Sequence, residues 1–256
     1  MRSFVYSFQS EWLKKRRSAS SWLTILGGFF IPVILLIARL VDFGTLAKVN
    51  GGDHLWEFLY SRSWQFMGLF LLPMGVILAA SLVTQLEFRN NTWKQLHATP
   101  QRLTTIFLAK LVVILVMMLQ FFVLFNIGIY LSGVLPALFR GVPYPKEAYP
   151  WRAFLRGNGR YFVDCLPIIG LQYLISLQFR NFLVPIGVGV ALYVASMIAI
   201  FWKYGYIIPY CYGALNFLRS NSKVDPGVNF QIWAVGYFFV FTIAGYILYM
   251  TKKGKG

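Results

Sequence analysis

Six apolar stretches, each close to the length that crosses a bilayer, take up most of this 256-residue chain and leave little from which to build a soluble core. A helix rising 1.5 Å per residue needs about 20 mostly apolar residues to cover the hydrocarbon layer. The stretches run near Ser21 to Val41, Ser63 to Leu86, Ile106 to Leu135, Tyr161 to Phe179, Phe182 to Trp202 and Phe230 to Met250. The third, at roughly 45 Å, exceeds the layer and predicts a helix that tilts or projects beyond it. Only 12% of residues are charged, about half the roughly 25% of globular domains. Soluble folds, disordered tails and fibrous rods are thereby disfavoured. The pattern predicts an all-α integral membrane protein, with residues 1–256 forming one transmembrane domain and 21–250 a six-helix bundle.

The formal charge of +16 does not mark a nucleic-acid binder, because Lys and Arg sit in short runs beside apolar stretches and form no continuous stripe. Six spans place 13 of them on the side of the N terminus and 11 on the other. The dense run Lys14-Lys15-Arg16-Arg17 beside the first span predicts that both termini are cytoplasmic. That run resembles the start of a secretory signal, but the apolar stretch behind it is longer than a signal core and has no small-x-small cleavage site before Arg39, which predicts a retained span. Two cysteines, Cys165 and Cys211, are too few for a disulfide framework or a Cys-rich metal site, though a single bridge stays open.

Catalytic chemistry has little to work with. His54 and His97 fall on opposite sides in this topology, so no His-based metal site is expected, and no Gly-x-Ser-x-Gly or His-Glu-x-x-His motif occurs. A Gly-x-x-x-x-Gly-Lys-[Ser/Thr] phosphate loop is also missing, so no cofactor, metal or ATP is expected on this chain, and any ATP-driven process takes its engine from another polypeptide. Asp164 is the one acid inside a span and a functional candidate for that reason. Arg160, one helical turn earlier, is spaced to pair with it; a structural ion pair and a role on a substrate path both fit.

Other segments carry information too. Phe4, Val5, Phe8 and Trp12 recur at helical spacing, while Ser7, Gln9, Glu11, Lys14 and Lys15 mostly fill the rest of the wheel. This predicts a helix within residues 1–20 lying on the inner membrane surface, apolar side in lipid and cations near anionic headgroups; a plain positive-inside anchor is the alternative. Between the second and third stretches, Thr92 and Gln95 have capping-box spacing and Pro100 halts a helix begun there, so 87–101 should hold a short helix presenting Trp93 and Leu96 beside Lys94 and Gln95. Trp93 would seat in a partner protein or in the headgroup layer. The segment 203–229 contains Tyr204-Gly-Tyr-Ile-Ile-Pro209-Tyr210-Cys-Tyr212, which either dips back into the protein or forms an aromatic belt. Small residues recur at Gly187, Ala191 and Ala195 and at Gly75 and Ala79, permitting close helix approach. Pro32 and Pro73 should bend their helices and free carbonyls that need local partners.

Two of these segments, Glu11-Trp-Leu-Lys14-Lys15 and Glu87-Phe-Arg-Asn90-Asn91-Thr92-Trp93-Lys94-Gln95-Leu96 with Ala-Thr-Pro100, together with the tight turn Gln178-Phe-Arg180-Asn181-Phe-Leu-Val-Pro, resemble the ABC-2 type permease family. The resemblance is closest to the branch with lantibiotic-immunity and bacitracin-export permeases. It implies an exporter of an amphipathic substrate, connected with antibiotic resistance or immunity, in the bacterial inner membrane. Two copies of a separate ATPase would bind ATP and Mg, and a second permease chain, identical or related, would complete the transporter. By the same resemblance Phe4, Phe8, Glu11, Trp12 and Lys15 belong to an amphipathic elbow helix, and Glu87 with Asn90 to Leu96 form the coupling segment, with a lesser contact at Arg180 and Asn181. Gly187, Ala191 and Ala195 would lie at the dimer contact, and Pro209, Tyr210 and Tyr212 in an outer re-entrant stretch. The loop Pro136 to Arg160 departs from the most compact members. An ATP-independent channel or carrier is the alternative, and a membrane enzyme dependent on Asp164 comes last.

Overall fold

The computed structural model describes residues 2–16, 18–41, 49–89, 102–220 and 227–251, and these are helical with no strands. Helix α1 (Arg2–Arg16) precedes α2 (Ala19–Val41); α3 (Leu55–Phe66), a π-helical turn (Met67–Leu71) and α4 (Leu72–Arg89) succeed one another without interruption. Then come α5 (Leu103–Arg140), α6 (Trp151–Gln178), α7 (Leu183–Ala199), two short 3-10 turns (Gly205–Ile207 and Pro209–Cys211), α8 (Tyr212–Ser220) and α9 (Phe230–Thr251). Five helical stretches are long and apolar enough to cross a membrane: α2, Leu55–Gln85, α5, α6 and α9. The stretch expected at Phe182 to Trp202 is a helix of 17 residues, about 25 Å, and falls short of that length. Its end is set by a tight turn in which Gly205 sits against Ala199, where a Cβ would lie 2.6 Å from the Ala199 carbonyl oxygen.

Two loops expected from hydropathy are largely helix. The second span begins at Leu55 rather than Ser63, and α6 begins at Trp151, so of the presumed loop Pro136 to Arg160 only residues 141–150 are non-helical. Tertiary contacts hold these stretches: the Trp56 indole donates to the Glu147 carbonyl at 2.9 Å, and the Tyr60 and Phe154 rings lie 4.2 Å apart.

The bundle is organised along α5, whose 38 residues extend about 57 Å. Helix α1 packs on its first half and α2 on its second, while α6 packs most extensively on α9. Close approach of α2 to α5 rests on Gly128, where a Cβ would lie 2.8 Å from the Pro32 ring. We call the end where α4 stops and α5 starts the proximal end, and the other the distal end.

Prolines inside the helices leave carbonyls without their usual donors, and at Pro73 and Pro136 a side chain from another helix replaces the donor. Pro73 cannot donate to Leu69; there the ladder runs through a π turn, with Leu72 N–H bonded to the Met67 carbonyl, and the Tyr193 hydroxyl of α7 donates to the Leu69 carbonyl at 2.5 Å. Pro136 likewise frees Ser132, whose carbonyl accepts from the Arg39 guanidinium of α2. The sequence expectation for Pro73 is met by α7, a helix far away in the chain.

Helix α1 reverses one expectation. Its buried stripe is Ser7, Glu11 and Lys15, whereas Phe8 and Trp12 are half-buried against the core and Tyr6 and Leu13 are exposed. The cause is Lys110, buried in α5: Glu11 lies 3.7 Å from its ammonium and accepts from Lys14 at 2.6 Å. A buried ammonium needs a carboxylate more than an indole needs lipid. Burial raises the pKa of the Glu11 carboxyl, but Lys110 and Lys14 outweigh it, and the group ends below the ordinary carboxylate value.

Two outcomes are expected of the detergent-solubilised protein. Tyr193→Phe strips the donor from the Leu69 carbonyl and should cost about 1–2 kcal/mol, read as a lower thermal midpoint. Glu11→Gln removes the carboxylate that faces the buried Lys110 ammonium and should cost about 3 kcal/mol at neutral pH. Because the Glu11 pKa is depressed on folding, its contribution is full above the unfolded carboxylate pKa and is lost as pH falls through the folded one. Melting curves of wild type and Glu11→Gln should therefore converge in acid, and a gap independent of pH would refute the pairing.

Candidate functional site

At the proximal end, five helix ends meet. The Gln85 amide of α4 donates to the Phe179 carbonyl at 2.8 Å, which ties the helix leading into residues 90–101 to the turn between α6 and α7. The Tyr173 hydroxyl donates to the Phe107 carbonyl at 2.9 Å, and Thr104 and Tyr246 share a hydrogen bond of 2.9 Å, so the start of α5 is fixed to α6 and α9. Arg180 and Asn181 are exposed in that turn, where Asn181 Oδ1 accepts from the Leu183 N–H at 3.0 Å and opens α7. Glu87 lies in the last turns of α4; Asn90, Asn91, Thr92, Trp93, Lys94, Gln95 and Leu96 lie outside the described residues. A rigid, polar platform thus flanks the segment expected to carry the coupling role.

One layer further in, Gln172 is fully buried and joins four elements. Its amide donates to Ser81 Oγ at 2.9 Å and to the Pro185 carbonyl at 2.7 Å, and its oxygen accepts from the Tyr210 hydroxyl at 3.4 Å. Gly189 makes room, since a Cβ there would lie 2.7 Å from Gln172 Oε1 and from Ile77 Cγ2. This network sits where α4, α6, α7 and the segment after α7 converge.

That segment returns into the protein. Residues 205 and 210–217 are buried, including Tyr210 and Tyr212, and Pro209 starts the second 3-10 turn. Backbone meets backbone where Gly213 approaches the π turn: a Cβ on Gly213 would lie 3.0 Å from the Gly68 carbonyl oxygen. Cys211 Sγ lies 2.9 Å from the Ser196 carbonyl, and both cysteines are free, so the single bridge left open by the sequence is not formed.

Asp164 does not pair with Arg160. The arginine is exposed, while Asp164 is buried and its Oδ2 accepts from the Asn216 amide of α8 at 2.7 Å. Spacing four along α6 brings the two close in sequence, but Asp164 faces inward toward α8 and Arg160 outward. Among the described residues there is no cluster of three metal-ligating side chains.

Gly187, Ala191 and Ala195 form an open stripe on the exposed face of α7, with nothing near the place of a Gly187 Cβ. Gly75 and Ala79 likewise make no close helix contact at Gly75; they line an apolar cavity of about 130 Å³ together with Leu23, Gly27, Met117 and Phe121. Large apolar side chains remain exposed on α2 (Trp22, Leu26, Phe30) and α9 (Phe239, Val240, Ile243), surfaces suited to lipid or another membrane helix. Phe4, Phe8 and Trp12, expected in an elbow helix, lie half-buried on α1. Gln85, Gln172, Tyr193, Lys110 and Asn216 were not singled out by sequence; polar side chains within apolar stretches are the signal that would have found them.

No curated protein and no solved structure matches the chain. Residues 7–217 match the family model described as ABC-2 family transporter protein, covering α1 through most of α8. Members are the membrane component, a permease subunit, rather than the catalytic one, and generally work with an ABC ATPase partner. With several helices apolar and long enough to cross a bilayer and a family match over most of its length, the chain belongs to the ABC-2 transporter family and is a multi-pass membrane protein.

Proposed function

We propose that the protein is the permease subunit of an exporter for an amphipathic substrate, such as a peptide antibiotic or a lipid-like compound. It is driven by two copies of a separate ATPase and paired with a second permease chain, identical or related. In this reading it sits in a bacterial inner membrane with both termini cytoplasmic, and the proximal end meets the ATPase through Glu87, residues 90–96, Arg180 and Asn181. The observation that carries the reading is the Gln85 to Phe179 hydrogen bond, which joins the helix entering the coupling segment to the turn bearing Arg180 and Asn181. Closure of the ATPase pair would push on both as one body and repack the bundle. The open Gly187, Ala191 and Ala195 stripe supports α7 as the surface for the second permease chain.

The test is pull-down of the tagged chain from detergent-solubilised native membranes, with identification of what accompanies it and an ATP hydrolysis assay. A stoichiometric P-loop ATPase is expected. Trp93→Ala removes an aromatic anchor worth ~2 kcal/mol or more, and the co-purified ATPase should fall at least about tenfold while membrane insertion stays intact. An ATPase-free oligomer from native membranes would instead favour the ATP-independent channel or carrier.

A further inference from the structure

Lys15 is 2% exposed, yet its partners are neutral: its ammonium donates to Gln120 Oε1 at 2.9 Å and lies 4.4 Å from the Trp12 ring centre. Glu11, the acid on the same helix, is engaged with Lys14 and Lys110. A buried cation without a counter-charge is costly, and burial lowers the basicity of this one. Lys15 lines a pocket of about 360 Å³ between the end of α1 and the start of α2, with Arg16, Ser21, Trp12 and Trp22 around it.

The polar part of the lining is cationic and donating: the Lys15 ammonium, the Arg16 guanidinium and the Ser21 hydroxyl stand beside the Trp12 and Trp22 rings and Ile25, the Gln120 oxygen accepts from Lys15, and no acid lines the pocket. A phosphate oxygen matches such a set. The turn is also built in advance: Ser18 N–H and Oγ both donate to the Lys15 carbonyl, at 2.9 and 2.7 Å, and Ser21 N–H donates to the Ser18 carbonyl at 3.1 Å. Trp22 and Ile25 on the pocket wall and Leu26 next to them are exposed, forming an apolar strip along α2 that starts at the pocket. A free phosphate has no use for that strip, whereas an acyl chain does, and Trp with Lys and Arg is the composition of a headgroup-level anchor.

We propose that the junction of α1 and α2 binds one anionic phospholipid, its phosphate in the pocket against Lys15 and Arg16 and an acyl chain along Trp22, Ile25 and Leu26. The bound lipid supplies the counter-charge that Lys15 lacks and fixes the angle between the two helices. The inference stands apart from the ATPase reading, since it needs only that the chain lies in a bilayer.

The test is native mass spectrometry of the full chain in mild detergent, titrated with phosphatidylglycerol, with phosphatidylcholine of matched chains, and with inorganic phosphate. The first phosphatidylglycerol should bind at a concentration on the order of tenfold lower than the first phosphatidylcholine, and inorganic phosphate should bind far more weakly than either. Arg16→Gln, on an exposed side chain, keeps the fold and should reduce the preference several-fold; Lys15→Gln with Arg16→Gln should abolish it, and Lys203→Gln should leave it unchanged. Equal affinity for the two lipids would overturn the proposal, as would a preference that survives Arg16→Gln. Inorganic phosphate binding as tightly as the lipid would overturn its lipid part.

Discussion

A chain that lives in hydrocarbon has no water to rescue an unmatched backbone group, and most of this architecture answers that constraint. The prolines make it visible. Pro73 and Pro136 each strip a carbonyl of its donor inside a long helix, and the replacements, Tyr193 and Arg39, come from helices far away in sequence. Each repair is therefore also a tertiary contact. The π turn at 67–71 fits the same account: where the regular ladder cannot close, the chain takes up one extra residue and lets a hydroxyl into the gap.

Charge is treated by the same economy. Lys110, Glu11 and Asp164 are all buried, and each is met by a group from another element: Glu11 and Lys110 by one another, Asp164 by Asn216. These contacts fasten the N-terminal helix to α5 and the returning segment before α9 to α6. Gln172 does the same for α4, α6, α7 and Tyr210. Polar groups are few here, and these buried ones act as joints between helices.

The helical spans were legible because hydropathy reports what can face lipid, and the starts and ends of α2, α7 and α9 fall within a few residues of the apolar stretches. It says nothing about helix that faces protein. The first turns of α3, with Glu57 and Arg62, and of α6, with Arg152 and Arg156, read as loops, yet they are helical and touch one another through Tyr60 and Phe154. The polar stripe of α1 was misplaced for a related reason: a helical wheel shows which residues share a face, but only the position of Lys110 decides which face turns inward. The candidate coupling platform was half legible. Arg180 and Asn181 stood out by their turn, whereas Gln85 became informative only once its bond to Phe179 was seen.

Helix α5 serves as a common rail for the first 41 residues, with α1 seated on its first half and α2 on its second. The Glu11 to Lys110 pair, the Lys15 to Gln120 bond and the Arg39 contact to Ser132 fasten them at three heights. The start of the rail is also pinned to α6 and α9 at the proximal end. A tilt applied there is therefore not confined to the third long helix: it carries the N-terminal helix and the first span as passengers, and the far tip of α2 sweeps the widest arc.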